Sequence, residues 1–369
     1  MLAWQYARGL HFKRAQVLPL GKGRRALEEL VMKCKMNGVI GAVIFLFAVL
    51  LLRSEGHSKE KNPVGKLTGY IEVAGDSGIQ RITLPAGRTL EIFKKRADYL
   101  VNDFDLLPDA KERVVTVRGS GYDATRLCIY SSSNELSTLL SKRFLGKPSY
   151  SPDGKHIAYL SCPYNRECKV LSHDDCYLFV IKADGSSDSK ILDLPLMPFK
   201  PSWLPDGKGL TVTTRNFEIY AIDIDNGKGK KLIDFGIAPA VSHDGNQIAY
   251  LSNDVDEATR KKIIDDYNIS EKEYIKIITE KGDRQKEMAE LDRYFYRHAI
   301  YIYDVKTGQT RRLMGPEWIE EAPVWSPDDK YLAYTDNRYL GEEIYVVDIN
   351  TGEKIRLEGK YGRVKVWGN

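Results

Sequence analysis

From residue 65 onward the chain alternates short apolar runs with polar turns, the period-two signature of half-buried strands. His156–Ser161, Gly209–Thr214, Gln247–Ser252 and Tyr331–Thr335 each read as one strand. Each follows the same kind of turn: Pro152-Asp153-Gly154-Lys155, Pro205-Asp206-Gly207-Lys208, His243-Asp244-Gly245-Asn246 and Pro327-Asp328-Asp329-Lys330. A weaker copy, Pro108-Asp109-Ala110-Lys111, precedes Arg113–Arg118. In such a turn Pro fixes φ, Asp bonds the local backbone and Gly takes positive φ. A second hairpin follows in Tyr177–Lys182 with Lys190–Leu192, Glu218–Ile224 with Lys230–Ile233, Ile300–Val305 with Thr310–Leu313, and Glu343–Ile349 with Glu353–Leu357. Four strands per unit, repeated, make a propeller blade.

The units starting at Pro108, Pro152, Pro205, His243 and Pro327 are spaced by 44, 53, 38 and 84 residues and give blades 1 to 5. A sixth closes from both ends of this region. Val364–Gly368 reads as an inner strand with no successor; Leu67–Ala74, Ile79–Leu84 and Arg88–Phe93 read as strands with no inner strand. Their pairing predicts a six-bladed ring without open sheet edges. The sequence therefore predicts an all-β, six-bladed β-propeller over residues 65–369.

The aromatic-Ser-Pro-Asp-Gly-Lys unit followed by Ile-Ala-Tyr-Leu-Ser, at 157–161 and 248–252, resembles the TolB-type, WD40-like propeller repeat. The motif is specific for fold and weak for function, because such repeats occur in envelope proteins, peptidases and lyases. TolB carries an α/β domain before its propeller; here the polar stretch Arg53–Val64 precedes it, so the resemblance implies the propeller without that domain.

Ahead of the strands stands a different pattern. Met36–Leu52 is 17 residues without a charge, about 26 Å as a helix and slightly short of a bilayer core. Lys35 and Arg53 bracket it. Residues 1–35 carry eight bases and two acids, a net of +6, so the remainder of this +4 chain sums to −2. By the positive-inside rule the basic tail is cytoplasmic, 36–52 a single transmembrane anchor, 53–64 a polar linker, and the propeller periplasmic or extracellular. The rival is a cleaved signal peptide ending near Ser54–Gly56, with Met32 or Met36 as the true start. Both readings export the body. Its near-neutral charge excludes a nucleic-acid partner, whose phosphates demand a basic face.

Three of the five cysteines, Cys162, Cys168 and Cys176, fall within 15 residues. A loop disulfide such as Cys162–Cys168 or Cys168–Cys176 suits an exported domain. Their spacing matches no zinc pattern, and no metal or cofactor is expected.

In a four-stranded blade the Pro-Asp-Gly turns share one face. The loops joining strands two and three, and those leading to the next blade, share the other. That second face holds the cysteine loop Cys162–Cys176, the insertion Asp254–Arg297 and Asp336–Glu342. The insertion has 22 charges in 44 residues. Ser270 and Glu273 fit a capping box, and Tyr274, Ile277 and Ile278 a helical stripe, which together predict a helical hairpin over the mouth. Partner contact is expected here, through Trp318, Arg338 and Tyr339 with Tyr164, Arg166 and Arg215, because Trp, Tyr and Arg dominate binding hot spots.

Catalytic signals are weak. Gly75-Asp76-Ser77-Gly78 resembles a protease nucleophile motif but lies where a hairpin turn is required. No Gly-x-Ser-x-Gly elbow occurs, and no hydrolase domain is expected after the propeller. His173-Asp174-Asp175 and Asp223-Ile224-Asp225-Asn226-Gly227 read as polar turns rather than metal sites. Two function classes remain: a protein- or glycan-binding scaffold of the cell envelope, and a polysaccharide lyase or hydrolase with its site at the propeller mouth.

Overall fold

The computed structural model describes residues 63–369 except 76–77, 95–98, 110, 120–124, 143–144, 163, 166–169, 172–175, 253–297, 320 and 338–341. The anchor 36–52 and the helical hairpin expected in 254–297 lie outside the described residues. Among those described, no helix is long and apolar enough to cross a membrane.

The turns close as their residue types require. In blade 2, Asp153 Oδ1 accepts the Lys155 amide at 3.0 Å and the Ser151 hydroxyl at 2.6 Å. Ser151 Oγ in turn accepts the His156 amide at 2.9 Å, and Gly154 sits at φ 69°. Asp244 and Asp328 accept Ser242 and Ser326 hydroxyls at 2.6 and 2.7 Å in blades 4 and 5. Blade 5 departs from the pattern in an instructive way. Asp329 replaces Gly and is held at φ 54°. Its carboxylate spans to the neighbouring turn, accepting the His243 and Asp244 amides at 2.9 and 3.0 Å and meeting His243 Nδ1 at 2.7 Å.

Each turn joins an inner strand to the next, and six antiparallel four-stranded sheets result. The inner strands are Tyr99–Leu106, Leu145–Tyr150, Ser202–Trp203, Ile237–Val241, Val324–Trp325 and Arg363–Gly368. The last belongs to blade 6. It pairs with Tyr70–Gly75, matching Ile71 to Trp367 and Val73 to Val364, and Gly78–Thr83 and Thr89–Lys94 complete that blade. The ring is therefore closed by one strand from the end and three from the start of the propeller, as the pattern predicts.

The seams between blades follow from the strand-two repeat. Ala158, Ala249 and Ala333 are fully buried, and so small a side chain lets the next blade approach. One residue on, Tyr159, Tyr250 and Tyr334 stack on Phe179, Tyr301 and Tyr345 of strand three, with ring centroids 5.5, 5.5 and 5.6 Å apart. The aromatic position before the turn adds inter-blade bonds. Trp203 Nε1 donates to Ser149 O at 3.0 Å, and Trp325 Nε1 to Ala240 O at 2.8 Å.

The seam between blades 6 and 1 adds a buried ion pair to an apolar core in which Ala74, Ile79 and Phe93 meet Phe104, Val115 and Val117. Glu72 takes the place that Ala158, Ala249 and Ala333 hold elsewhere and is fully buried. It accepts from Arg113 of blade 1, Nε to Oε2 at 2.8 Å, and from Arg81 of its own blade, Nε to Oε1 at 2.9 Å. Arg81 also lies over the Tyr70 ring at 3.6 Å.

The disulfide differs from both pairings named above: Cys162 joins Cys176. The register decides this. Ser161 pairs with Tyr177, so the next residues of the two strands face each other, with Cα atoms 4.0 Å apart. Cys168 lies outside the described residues, and Cys128 is a buried free thiol.

Candidate functional site in the axial cavity

The inner strands enclose a cavity of about 580 Å³ on the propeller axis. It opens between the turns, past Pro108, Pro152, His243 and Pro327, and reaches down to a ring of four charges. These are Asp103 from blade 1, Lys147 from blade 2, Glu321 from the segment entering blade 5, and Lys365 from the closing strand. Lys147 Nζ lies 3.1 Å from Asp103 Oδ2 and 3.3 Å from Glu321 Oε1. Lys365 Nζ lies 2.9 Å from Asp103 Oδ1 and also pairs with Glu321 Oε2. Signs alternate around the ring. Above it, Asp105 accepts the Tyr150 amide at 2.8 Å and pairs with Lys200 at 2.7 Å, tying blades 1, 2 and 3 together.

Bulges aim these side chains. The inner strands of blades 1, 2 and 6 each skip a residue or two of register at this level, between Val101 and Asp103, Gly146 and Ser149, and Val364 and Val366. Lys147 itself sits in the blade 2 bulge at φ 55°. Strain of that kind in a non-glycine residue costs about 1–3 kcal/mol and persists only where its surroundings impose it.

The ring fixes its own charges. Burial alone would raise the Asp103 carboxyl, but Lys147 and Lys365 outweigh it and hold it well below the usual carboxylate range. Burial likewise opposes ionisation of Glu321, and Lys365 and Lys147 reverse that. For Lys147 burial disfavours the ammonium, yet Asp103 and Glu321 raise it above the usual lysine range. Near neutral pH, Asp103 and Glu321 are ionised and Lys147 is protonated, so none of the three is poised to exchange a proton with a substrate.

The residues expected on the loop face lie elsewhere. Trp318 is half-buried in the segment entering blade 5, and its carbonyl accepts the Asn337 amide at 2.9 Å. Arg215 is exposed in the turn between strands two and three of blade 3. Tyr164 pairs through its backbone with Leu171 in a two-stranded ribbon. Arg166, Arg338 and Tyr339 lie outside the described residues. Neither Trp318 nor Arg215 lines the axial cavity. Sequence reasoning missed the ring. The available signal was charge on inner strands that otherwise read as apolar, with Asp103 and Lys147 each five residues before the Pro of its turn. His173-Asp174-Asp175 is likewise outside the described residues. At Asp223-Gly227, Asp223 Oδ1 accepts the Asp225 and Asn226 amides at 2.9 and 3.2 Å, the turn chemistry expected there.

Near Trp318 is a buried histidine. His298 Nδ1 donates to Ile319 O at 2.6 Å. Burial lowers its pKa from 6.5 to about 4, against a smaller opposing effect of that hydrogen bond. Because the folded value is depressed, the unfolded chain binds the proton first, so stability is lost as pH falls from 6.5 toward 4. Between pH 7 and pH 5 the wild-type protein should lose about 2 kcal/mol more than His298→Asn. Urea midpoints at the two pH values measure this, and equal losses would exclude a neutral buried imidazole.

Comparisons place this geometry. The family model for the dipeptidyl peptidase IV (DPP IV) N-terminal region matches residues 282–360. The uncharacterized peptidase YuxL of Bacillus subtilis (strain 168) is 25% identical over 201 residues, 51% of this chain and 29% of that protein. TolB from Acinetobacter baumannii superposes with a TM-score of 0.57 at 16% identity, covering 81% of this chain and 65% of that one. A chain of the nidogen/laminin complex superposes with a TM-score of 0.53 at 12% identity, over 80% of this chain and 96% of that one. The chain thus spans under a third of YuxL and about two thirds of TolB, and at these identities the likeness is one of fold. With six four-stranded blades, repeated Pro-Asp-Gly turns and a one-plus-three closure, the chain is a six-bladed β-propeller, a fold similar to that of TolB.

Proposed function

We propose that this protein is a membrane-anchored, extracytoplasmic scaffold of the cell envelope that works by binding a protein or glycan. The observation that favours binding over catalysis is the axial cavity, whose floor holds Asp103 and Glu321 ionised and Lys147 protonated. That arrangement suits recognition better than acid–base chemistry. The uncharged run 36–52 behind a basic tail supports the anchor, with the N-terminus inside. The macromolecular partner engages the loop face through Trp318, Arg338 and Tyr339, with Tyr164, Arg166 and Arg215 beside them.

Full-length protein from native membranes tests this. A C-terminal reporter should be active only outside the cytoplasm, on a membrane-retained product; a soluble product shortened to near residue 57 would remove the anchor. Trp318→Ala and Arg338→Ala should each weaken partner binding by about 1–2 kcal/mol, and Lys155→Ala and Lys330→Ala on the turn face should leave it unchanged. The reverse pattern would overturn the face assignment. A second reading, a polysaccharide lyase or hydrolase, is favoured by the convergence of Asp103, Asp105 and Glu321 with three lysines in one cavity. Turnover of a polysaccharide by the purified protein, abolished by Glu321→Gln, would establish it instead.

A further inference from the structure

The four-charge ring is not uniform. Asp103 and Lys365 are 6% and 4% exposed, whereas Lys147 and Glu321 are 26% and 20% exposed and face the cavity. The Lys147–Glu321 contact, at 3.3 Å, is the longest link for which both partners also hold an inner one. If it opens, Lys147 keeps Asp103 and Glu321 keeps Lys365, so neither charge is stranded. While Asp105 and Lys200 stay paired with each other at 2.7 Å, what the ring offers the cavity is then one ammonium beside one carboxylate.

That pair selects its ligand by charge. A simple anion would gain Lys147 and meet Glu321; a simple cation would gain Glu321 and meet Lys147. Each attraction would be offset by a like charge within a few ångströms. Only a ligand with both signs on one short frame gains both contacts, its carboxylate accepting from Lys147 Nζ and its ammonium donating to Glu321 Oε1. The alternation would then extend from four groups to six. Above the ring the wall combines the closed Asp105–Lys200 pair with the apolar surfaces of Pro201, Pro239, Pro323 and Ala322. Proline contributes no N–H donor, so the charged floor is left to orient the ligand. A cavity of about 580 Å³ is of small-molecule size. The geometry points to a binding site for the amino-acid zwitterion, as a free amino acid or short free peptide with apolar side chains, seated between Lys147 and Glu321. This rests on the binding reading above and adds to it a second, small ligand on the opposite face.

Titration calorimetry on the full-length protein in detergent tests it, with L-leucine, L-phenylalanine and L-leucyl-L-leucine as probes. Each is compared with its N-acetylated and its C-amidated form. At least one free probe should bind saturably, and capping either end should weaken it by about tenfold or more. Lys147→Met and Glu321→Gln should weaken it similarly. Should either fail to fold, Val324→Trp, which narrows the cavity while leaving the ring charges in place, should abolish binding on its own. Three results would each overturn the site: no saturable binding of any free probe, capped probes binding as well as free ones, or binding unchanged in folded Val324→Trp. If the probes fail while Trp318-dependent partner binding survives, only this inference falls. If partner binding fails while the probes bind, the scaffold reading falls alone.

Discussion

Removing Val364–Asn369 is expected to unfold the whole ring rather than trim its end. These residues supply the inner strand of blade 6, and Val364 and Trp367 are 4% and 5% exposed in the core. Trp367 Nε1 also donates to Thr68 O at 3.0 Å, joining the two ends of the propeller. Without the strand, Tyr70–Gly75 becomes a bare edge, and Lys365 leaves the axial ring. Trp367→Ala alone should cost about 3–5 kcal/mol, a large share of the roughly 5–15 kcal/mol that separates a folded protein from its unfolded chain. Thermal unfolding followed by near-UV circular dichroism measures both variants. A truncated protein that melts with the wild type would mean the ring closes without this strand.

Glu72→Ala should be nearly as damaging, although Glu72 is not among the four charges of the axial ring. Its carboxylate is fully buried and satisfies two guanidiniums, one of them, Arg113, only 5% exposed. Deleting it strands a buried cation, at about 3–5 kcal/mol. Replacing the pair as Glu72→Met with Arg113→Leu should recover most of that, because the cost lies in the unpaired charge rather than in the lost bond. Equal destabilisation of the single and double variants would assign the effect to packing instead.

The fold was legible because its signals are local. Pro, Asp and Gly at fixed offsets specify a turn wherever they stand, and the strands follow by alternation. The unmatched strands at the two ends then made a sixth blade. The charged ring was not legible, because its four members come from different blades and from sequence positions 103, 147, 321 and 365. Only the closed ring brings them together. Bulges hid them further: Lys147 faces the axis through a backbone turn that no alternation pattern anticipates. The disulfide stands between these cases. Cysteine spacing narrows the candidates, but the choice of Cys162–Cys176 follows from the strand register. Glu72 shows the opposite failure, a charge at a position whose counterparts are alanine, which reads as surface until a partner in the next blade is seen.

The one-plus-three closure has a mechanical side. Tyr70 begins its strand directly opposite Gly368, where the closing strand ends. Tension applied to Pro63 and Asn369 would therefore part these two strands from a shared end. Their hydrogen bonds would load one rung at a time, as a zip is drawn, rather than all together in shear. A joint that resists heat through cooperativity would then yield to modest pulling, and it would open first at the blade that contributes Lys365 to the axial ring.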